Sequence, residues 1–425
     1  MIPAPPASFT ALLARPVAVL GAGVSGQGVL TLLAAVGSRG LLYDERAAGA
    51  ERNFNATAAA GHGLVVFSPG FAPDHPWLAV ARAAGCTCVG ELDFASLFWR
   101  GDVIAITGTN GKTTLTEFLA HALNAAGRRA GATGNVGYPF SRFVVEQTGR
   151  VDVAVCEVSS FQAETLRYLR PTATLWTNFA EDHLERHPGM AAYFAAKWQL
   201  VERTPSSAVF LGTSAASFAL SSPQNIRTLP SPARVRTLGQ PVEPRLEGTV
   251  FAGYPQQENF LLAAAWWRQA GLPESALFAA ARTFQLGPHR LSRVGEKRGV
   301  TFWNDSKATN FHAVESALAT FAAPVLWIGG GKAKGGDLAA FIGRIAHQVR
   351  HAFLIGETSS ALVGHCQDAR IPATACSSLA GALHSAFGQA VAGDHVVLSP
   401  GFASFDMFRG YDDRGRQFQQ LVENL

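Results

Sequence analysis

The chain has 425 residues, 48% of them hydrophobic and 16% charged, with a formal net charge of +4; at about 150 residues per domain this predicts two to four folded domains with ample apolar material for their cores. The positive charge is scattered and no Lys/Arg block occurs, which argues against a nucleic-acid surface and leaves small anionic ligands open. The opening residues lack a cationic leader, no apolar run reaches membrane-spanning length, and the five cysteines have no paired CxxC spacing, so a cytoplasmic protein without membrane insertion, disulfide framework or zinc site is expected.

From the N-terminus, "PVAVLGAGVSGQGVLTLLAAVG" predicts an apolar strand, a glycine turn and an apolar-periodic helix, and "GLLYDER" a second strand. "GLVVFSPG" and "GCTCVGELD" continue the alternation to about Phe98. In this first segment Gly21-x-Gly23-x-x-Gly26 follows a strand and opens a helix, and Asp44 ends the next strand where a ribose-binding acid would stand. Alone, this pattern is compatible with NAD, with another nucleotide diphosphate, or with a turn that serves only helix–strand packing.

"DVIAITG" predicts the next strand, which leads through "TNG" into the amphipathic helix "KTTLTEFLAHALNAAG". A strand, a short loop and Gly111-Lys112-Thr113 at a helix start supply what triphosphate binding needs: inward backbone N–H groups, the positive end of a helix, a lysine for the outer phosphates and a hydroxyl for magnesium. The usual first glycine of such a loop is replaced by Ile106, and Gly108 can supply the missing flexibility. Two glycine loops in succession point to two phosphate-bearing ligands, ATP and a nucleotide-linked substrate.

Further strands are predicted at "VDVAVCEV", "PTATLWTNF" and "SSAVFLG". Glu157 at the end of the first of these is placed to hold magnesium, and Ser159 and Ser160 add hydroxyls. In "NFAEDHLERH", Glu181, Asp182 and His183 follow a strand; His183 reads either as a metal or substrate ligand or as a local cap. Lys197 lies in the apolar helix "MAAYFAAKWQL", so it is either a buried amine open to covalent modification or a lysine snorkelling to solvent.

Between about residues 221 and 247 the composition shifts to Pro, Ser, Arg and Thr, before the helix "ENFLLAAAWWRQAGLP" and the hinge-like "LGPHRL". "VTFWNDSKATN", "APVLWIGGG", "RHAFLIGE" and "GDHVVLSPG" then predict four strand-to-loop transitions of a third α/β unit. Its polar loops, "NDSKATN", "GGGKAKGGD" and "SPGFASFD", read either as solvated turns or as a pocket that grips an acidic substrate.

Taken in order, "GTNGKTT", "EVSSFQ", "TNFAEDHLERH", "GPHR" and "NDSKATN" make the chain resemble the Mur ligase family along essentially its whole length, closest to its D-glutamate-adding branch. That family's phosphate loop also lacks the first glycine. The resemblance implies three α/β domains: an N-terminal Rossmann-like domain (1–98) for the UDP substrate, a central P-loop ATPase-like domain (99–286) for ATP, and a C-terminal Rossmann-like domain (287–425) for the amino acid.

Residue by residue, it implies UDP-substrate contacts at Ser25, Gly26, Asp44, Arg46, Ser68, Pro69, Gly70, Asn135 and Ser159. ATP would meet Gly108, Thr109, Asn110, Gly111, Lys112, Thr113 and Thr114, with Asn259, Arg290 and Asp305. Two Mg2+ ions would involve Thr113, Glu157, His183 and a carbamate on Lys197, and Lys112 would complete the catalytic set. D-glutamate would meet Lys307, Thr309, Lys334, Ser404 and Tyr411.

Four places depart from the family pattern: Pro255-Gln256 stand for a usual His-Asn near the adenine, Ala333 for a common acid, Phe402 for a frequent cysteine, and Tyr411 for a frequent phenylalanine. The implied activity is ATP-dependent amide formation between UDP-linked muramoyl-alanine and D-glutamate through an acyl phosphate, by a monomer whose third domain closes over the second about "LGPHRL". A nicotinamide oxidoreductase and a non-catalytic nucleotide-binding scaffold are the rivals; the first leaves "GTNGKTT" and "NDSKATN" unused.

Overall fold

A computed structural model describes residues 1–221 and 243–425. Most of the Pro/Ser/Arg/Thr-rich stretch singled out by composition therefore lies outside the described residues. Among the described residues, no helix is long and apolar enough to cross a membrane. All five cysteines are unpaired thiols, and four of them are buried.

Strands β1 (Val17–Leu20), β2 (Gly40–Tyr43), β3 (Leu64–Phe67) and β4 (Thr87–Gly90) form a parallel sheet in the order β2-β1-β3-β4. "VAVL" and "LVVF" are buried along their whole length, as parallel strands covered on both faces must be. The chain leaves β1 to one side for β2 and returns to its other side for β3, so the loops after β1 and β3 meet at the reversal point where ligands gather.

The second sheet is also parallel. It contains β5 (Asp102–Thr107), β6 (Ala130–Gly134), β7 (Val153–Glu157), β8 (Ala173–Trp176) and β9 (Val209–Leu211), in the order β6-β7-β5-β8-β9. Strand β6, "AGATG", carries no apolar signal and was not expected. Asn124 holds it by bonding both the amide and the carbonyl of Ala130, and a side chain on Gly131 would lie 2.6 Å from the Phe143 ring. The absent side chain is what lets the phenylalanine close over the strand.

The third sheet has the order β10-β11-β15-β12-β13-β14. Its strands are β10 (Ser292–Lys297), β11 (Val300–Asn304), β12 (Val325–Gly330), β13 (Val349–Ile355), β14 (Ala373–Ala375) and β15 (His395–Leu398). β10 alone runs antiparallel, in a hairpin with β11. Arg298 and Gly299, with φ of 50° and 75°, make its two-residue turn, a conformation that suits the twist of the paired strands. Val325 and Trp327 face one apolar cluster while Leu326 and Ile328 face another, so both faces of β12 are core.

The chain forms two compact units. One comprises Met1–Phe179, Ala191–Thr249 and Glu258–Phe284; the other comprises Ala180–Met190, Val250–Gln257 and Gln285–Leu425. The first two sheets share the first unit and one core, in which Phe94, Phe98 and Trp99 pack with Phe140, Phe143 and Cys156. The third sheet belongs to the second unit, together with the "EDHLERH" segment that follows β8 in sequence.

Candidate active site

The phosphate loop leaves the C-terminal end of β5, which lies between β7 and β8 with Ile106 opposite Glu157 and Thr107 opposite Trp176. Gly108 and Gly111 have φ of 140° and 81°, conformations that an L side chain rarely adopts. Space forbids one as well: an added Cβ would lie 1.9 Å from Thr177 Oγ1 at Gly108 and 2.6 Å from Asn259 Oδ1 at Gly111. Gly111 is also the N-cap of the helix Lys112–Ala125 and provides no capping side chain. The positive end of that helix is therefore directed at the loop.

The segment after β8 holds the loop in place. Thr109 N donates to Asn178 O (3.0 Å), Asn110 N donates to Asn178 Oδ1 (2.8 Å), and Thr177 Oγ1 donates to Asn110 O (2.5 Å). Lys112 Nζ donates to Thr109 O at 2.8 Å. Asn259, expected at the nucleotide from its motif alone, is buried against Gly111 in the same unit. Thr177 and Asn178 were not singled out; "TN" preceding "FAEDH" was the available signal.

Glu157 is buried at the end of β7, where its Oε1 accepts from Asn135 Nδ2 at 2.9 Å. Lys197 is only 1% exposed, which excludes the snorkelling alternative. Its Nζ donates to Gly108 O at 2.8 Å and to Thr107 Oγ1 at 3.4 Å, and stands 4.8 Å from the centre of the Tyr193 ring. Ser159, expected at the UDP substrate, is the N-cap of the helix Ser160–Ala163 in a reciprocal capping box with Gln162.

Thr113 and Glu157 offer the hard oxygen donors that magnesium selects. The ammonium of Lys197 has no lone pair to offer, and only a carbamate on Nζ would turn it into an oxygen ligand. Among the described residues, no group of three or more His, Cys, Asp or Glu side chains stands together to hold a metal. The expected ligand His183 belongs to the second unit.

In the first sheet the three glycines of the loop after β1 divide their roles. A Cβ on Gly21 would meet Ser68 Oγ at 2.8 Å, one on Gly26 would meet Gly21 O at 1.8 Å, and one on Gly23 would meet nothing within 4 Å. Gly23 is thus the point open to close approach by a ligand, while the other two secure the turn and the packing of the helix. Ser68 Oγ, on the loop after β3, is buried without a hydrogen-bond partner among the described residues.

Asp44 is directed at the backbone: Oδ2 accepts from Ala22 N and Oδ1 accepts from Arg46 N and Ala47 N. Those amides hold its carboxyl below the usual range. It ties the loop after β1 to the loop after β2. Arg46 and Gly70 are exposed, and Ser25 and Pro69 are half-buried.

In the second unit a cleft is lined by Asp182, His183, Thr309, Asn310, Lys334 and Phe402, among others. Lys334 Nζ donates to Thr309 O (3.2 Å), and Asn310 Nδ2 donates to Asp182 Oδ2 (3.0 Å). His183 sits at φ 57° with Nδ1 3.2 Å from Glu185 Oε1; burial lowers its pKa more than the neighbouring carboxylates raise it. Of the five residues expected at D-glutamate, Thr309 and Lys334 line this cleft. Lys307 stands 5.2 Å from the centre of the Tyr411 ring, and Ser404 is buried with its carbonyl accepting from Met407 N and Phe408 N.

Asp305 accepts from Leu291 N through Oδ1 and from Ser399 Oγ through Oδ2, and burial raises its pKa to about 7. It thereby holds the backbone next to Arg290. Arg414 went unnoticed in the sequence because a lone arginine in a polar C-terminal helix gives no signal. It is fully buried, donates to Ser306 Oγ, Ser306 O and Phe402 O, and has its pKa lowered to about 10 by burial. It clamps "NDSK" to "SPGFASFD".

Residues 106–228 match the Mur ligase middle domain and residues 289–402 the Mur ligase, glutamate ligase domain. The chain is 38% identical over 440 residues to the UDP-N-acetylmuramoylalanine–D-glutamate ligase of Gloeobacter violaceus, covering 96% of this chain and 99% of that protein. It is 36% identical to the protein of the same name from Frankia casuarinae, covering 96% and 93%.

Two solved structures share the fold at 15% identity. The UDP-N-acetylmuramate-alanine ligase of Thermotoga maritima matches with a TM-score of 0.61 over 96% of this chain and 99% of that one. The MurF ligase of Thermotoga maritima in complex with ADP matches with a TM-score of 0.57 over 88% and 97%. By identity over nearly its full length and by its two matched domains, the chain belongs to the Mur ligase family.

Proposed function

We propose that this chain is an ADP-forming ligase that joins D-glutamate to the alanyl carboxylate of UDP-N-acetylmuramoyl-L-alanine, acting as a cytoplasmic monomer in peptidoglycan precursor synthesis. The observation that carries this reading is the phosphate loop pinned at Asn178, with Lys112 at its helix start and the buried Lys197 bonded to its Gly108 carbonyl. The relatives' names support the choice of substrates.

A carboxylate and an amine do not condense in water without activation. In the proposed reaction a carboxylate oxygen of the alanyl group attacks the γ-phosphorus of ATP and ADP leaves. The D-glutamate nitrogen then attacks the carbonyl carbon of the acyl phosphate, loses a proton, and expels inorganic phosphate with the former carboxylate oxygen.

Lys112 and the helix start stabilise charge on the transferring phosphoryl group, where catalysis is mostly positioning and electrostatics. Thr113, Glu157, His183 and carbamylated Lys197 would hold two magnesium ions, which when bound neutralise phosphate charge. The glycine loop after β1, with Ser68, takes the UDP diphosphate. Thr309 and Lys334 take the acidic amino acid, and Asn259, Arg290 and Asp305 serve ATP. The test is phosphate release from ATP and the UDP-linked alanyl substrate across amino acids of both hands. Release with D-glutamate alone is expected; release that ignores the amino acid, or follows an L-amino acid, would overturn the assignment.

A further inference from the structure

Glu91 opens the helix Glu91–Ser96 after β4 and is 2% exposed. Its Oε1 accepts two hydrogen bonds from one residue across the shared core, Ser141 N at 2.7 Å and Ser141 Oγ at 2.6 Å. Ser141 is the second residue of the helix Phe140–Gln147, whose N-cap, Pro139, has no side chain to bond the first amides. A carboxyl oxygen at the second amide, facing the positive end of the helix, does what a capping side chain does. Here the cap comes from the region of the first sheet.

Two further contacts fix this arrangement. Asp93, two residues beyond Glu91, accepts from the amides of Arg167, Tyr168 and Leu169, which holds its helix against the second sheet's connections. The helix Val24–Ala35, which begins at the first glycine loop, closes on the same serine: a Cβ on Gly28 would lie 2.5 Å from Ser141 Oγ.

On its other side Ser141 leads back to Glu157. Tyr138 O accepts from Gly134 N (2.9 Å) and Thr133 Oγ1 (2.9 Å), which closes a tight loop between β6 and the helix. At the head of that loop Asn135 N donates to Glu157 O (3.0 Å) and Asn135 Nδ2 donates to Glu157 Oε1 (2.9 Å). The loop is therefore braced at Ser141 and delivers its other end to Glu157.

We propose that Glu91 is a positioning residue for Glu157: by capping the helix Phe140–Gln147 from outside, it sets the loop through which Asn135 aims the Glu157 carboxylate. This rests on the reading that Glu157 holds magnesium. Glu91 Oε2 is buried with no hydrogen-bond partner among the described residues, and burial raises the carboxyl above its usual range. Glutamine is a close mimic of a side chain that bonds only through Oε1, because its amide oxygen can keep both bonds to Ser141.

The test is Mn2+ binding to the full chain in the presence of ADP, followed by electron paramagnetic resonance, with thermal unfolding as the check on folding. Glu91→Ala is expected to weaken Mn2+ binding about tenfold, in line with the loss of an outer partner of a metal ligand, and Glu91→Gln to stay within about twofold of the parent.

Ser141→Ala removes one of the two bonds with little risk to folding and should weaken Mn2+ binding about threefold. It decides the matter if Glu91→Ala does not fold. Unchanged Mn2+ affinity in folded Glu91→Ala, or in Ser141→Ala, would overturn the proposal. Glu157→Gln separates the two readings: if it binds Mn2+ normally, the metal role of Glu157 fails; if it loses the ion while the Glu91 and Ser141 variants keep it, only the positioning role fails.

Discussion

The corner after β1 and the corner after β5 are built alike, each an apolar strand, a left-handed glycine and a helix, and both stand in the first unit. Their surroundings differ. At the first, Asp44 turns both oxygens onto backbone amides, and Gly23 leaves one side open. At the second, Asn178, Thr177 and Asn259 hem the loop in, and two lysines bond its carbonyls, Lys112 at Thr109 and Lys197 at Gly108. A diphosphate that stays whole needs only amides and room. A phosphoryl group in transit needs charged groups held in fixed positions and a loop that does not yield.

The two corners should accordingly respond differently to substitution. Lys112→Ala should lower ligation by about a thousandfold or more, the scale of losing a principal charge-stabilising group, while calorimetric affinity for the UDP-linked substrate stays within about threefold. Equal loss of both would mean that the corners are not separate sites. Lys197→Ala should cost about a hundredfold in kcat, as removal of a single stabilising group does. Short carboxylic acids that occupy the place of the carbamate should restore part of that loss; no recovery at any concentration would remove the carbamate from the account.

A pair of glycine variants tests the contrast through stability. Gly111→Ala forces a side chain into a left-handed backbone 2.6 Å from Asn259 Oδ1, and should cost about 1–3 kcal/mol in chemical denaturation. Gly23→Ala meets open space at φ −67° and should stay within about 0.5 kcal/mol. Equal costs would show that the second loop is no more tightly held than the first.

The smallest effect lies outside both corners. Asp305 has a folded pKa raised to about 7 against about 3.9 in an unfolded chain. Between those values the folded state holds a proton that the unfolded state has released, so stability falls as pH rises through that window and levels off above it. Asp305→Asn should remove this slope, and the Tm difference, variant minus parent, should grow from about pH 4 to about pH 7. A difference that stays flat with pH would mean that Asp305 is ionised when folded.

Much of this arrangement could be read directly from the residues. "VAVL", "LVVF", "DVIAIT" and "VAVCE" are apolar runs ending at a glycine, at Ser-Pro-Gly or at an acid, and their burial on both faces makes them conspicuous. "AGATG" was invisible because its strand character comes from Asn124 and Phe143, which lie outside it. The hairpin at Arg298-Gly299 was missed because arginine is not a usual residue at a left-handed turn position. At the site, lysines and acids at strand ends announced themselves, whereas Asn178, Asn310 and Arg414 act by bonding loops far from them in sequence. Asp44 was legible from its position at a strand end as a sugar contact, but its three bonds to backbone amides were not, because they depend on how the loops after β1 and β2 meet.

The decisive measurement follows one oxygen atom. With the alanyl carboxylate of the UDP-linked substrate labelled with oxygen-18, turnover with ATP and D-glutamate should move one labelled oxygen per amide bond into the released inorganic phosphate. Phosphate free of label, with all of it retained in substrate and product, would contradict activation through an acyl phosphate.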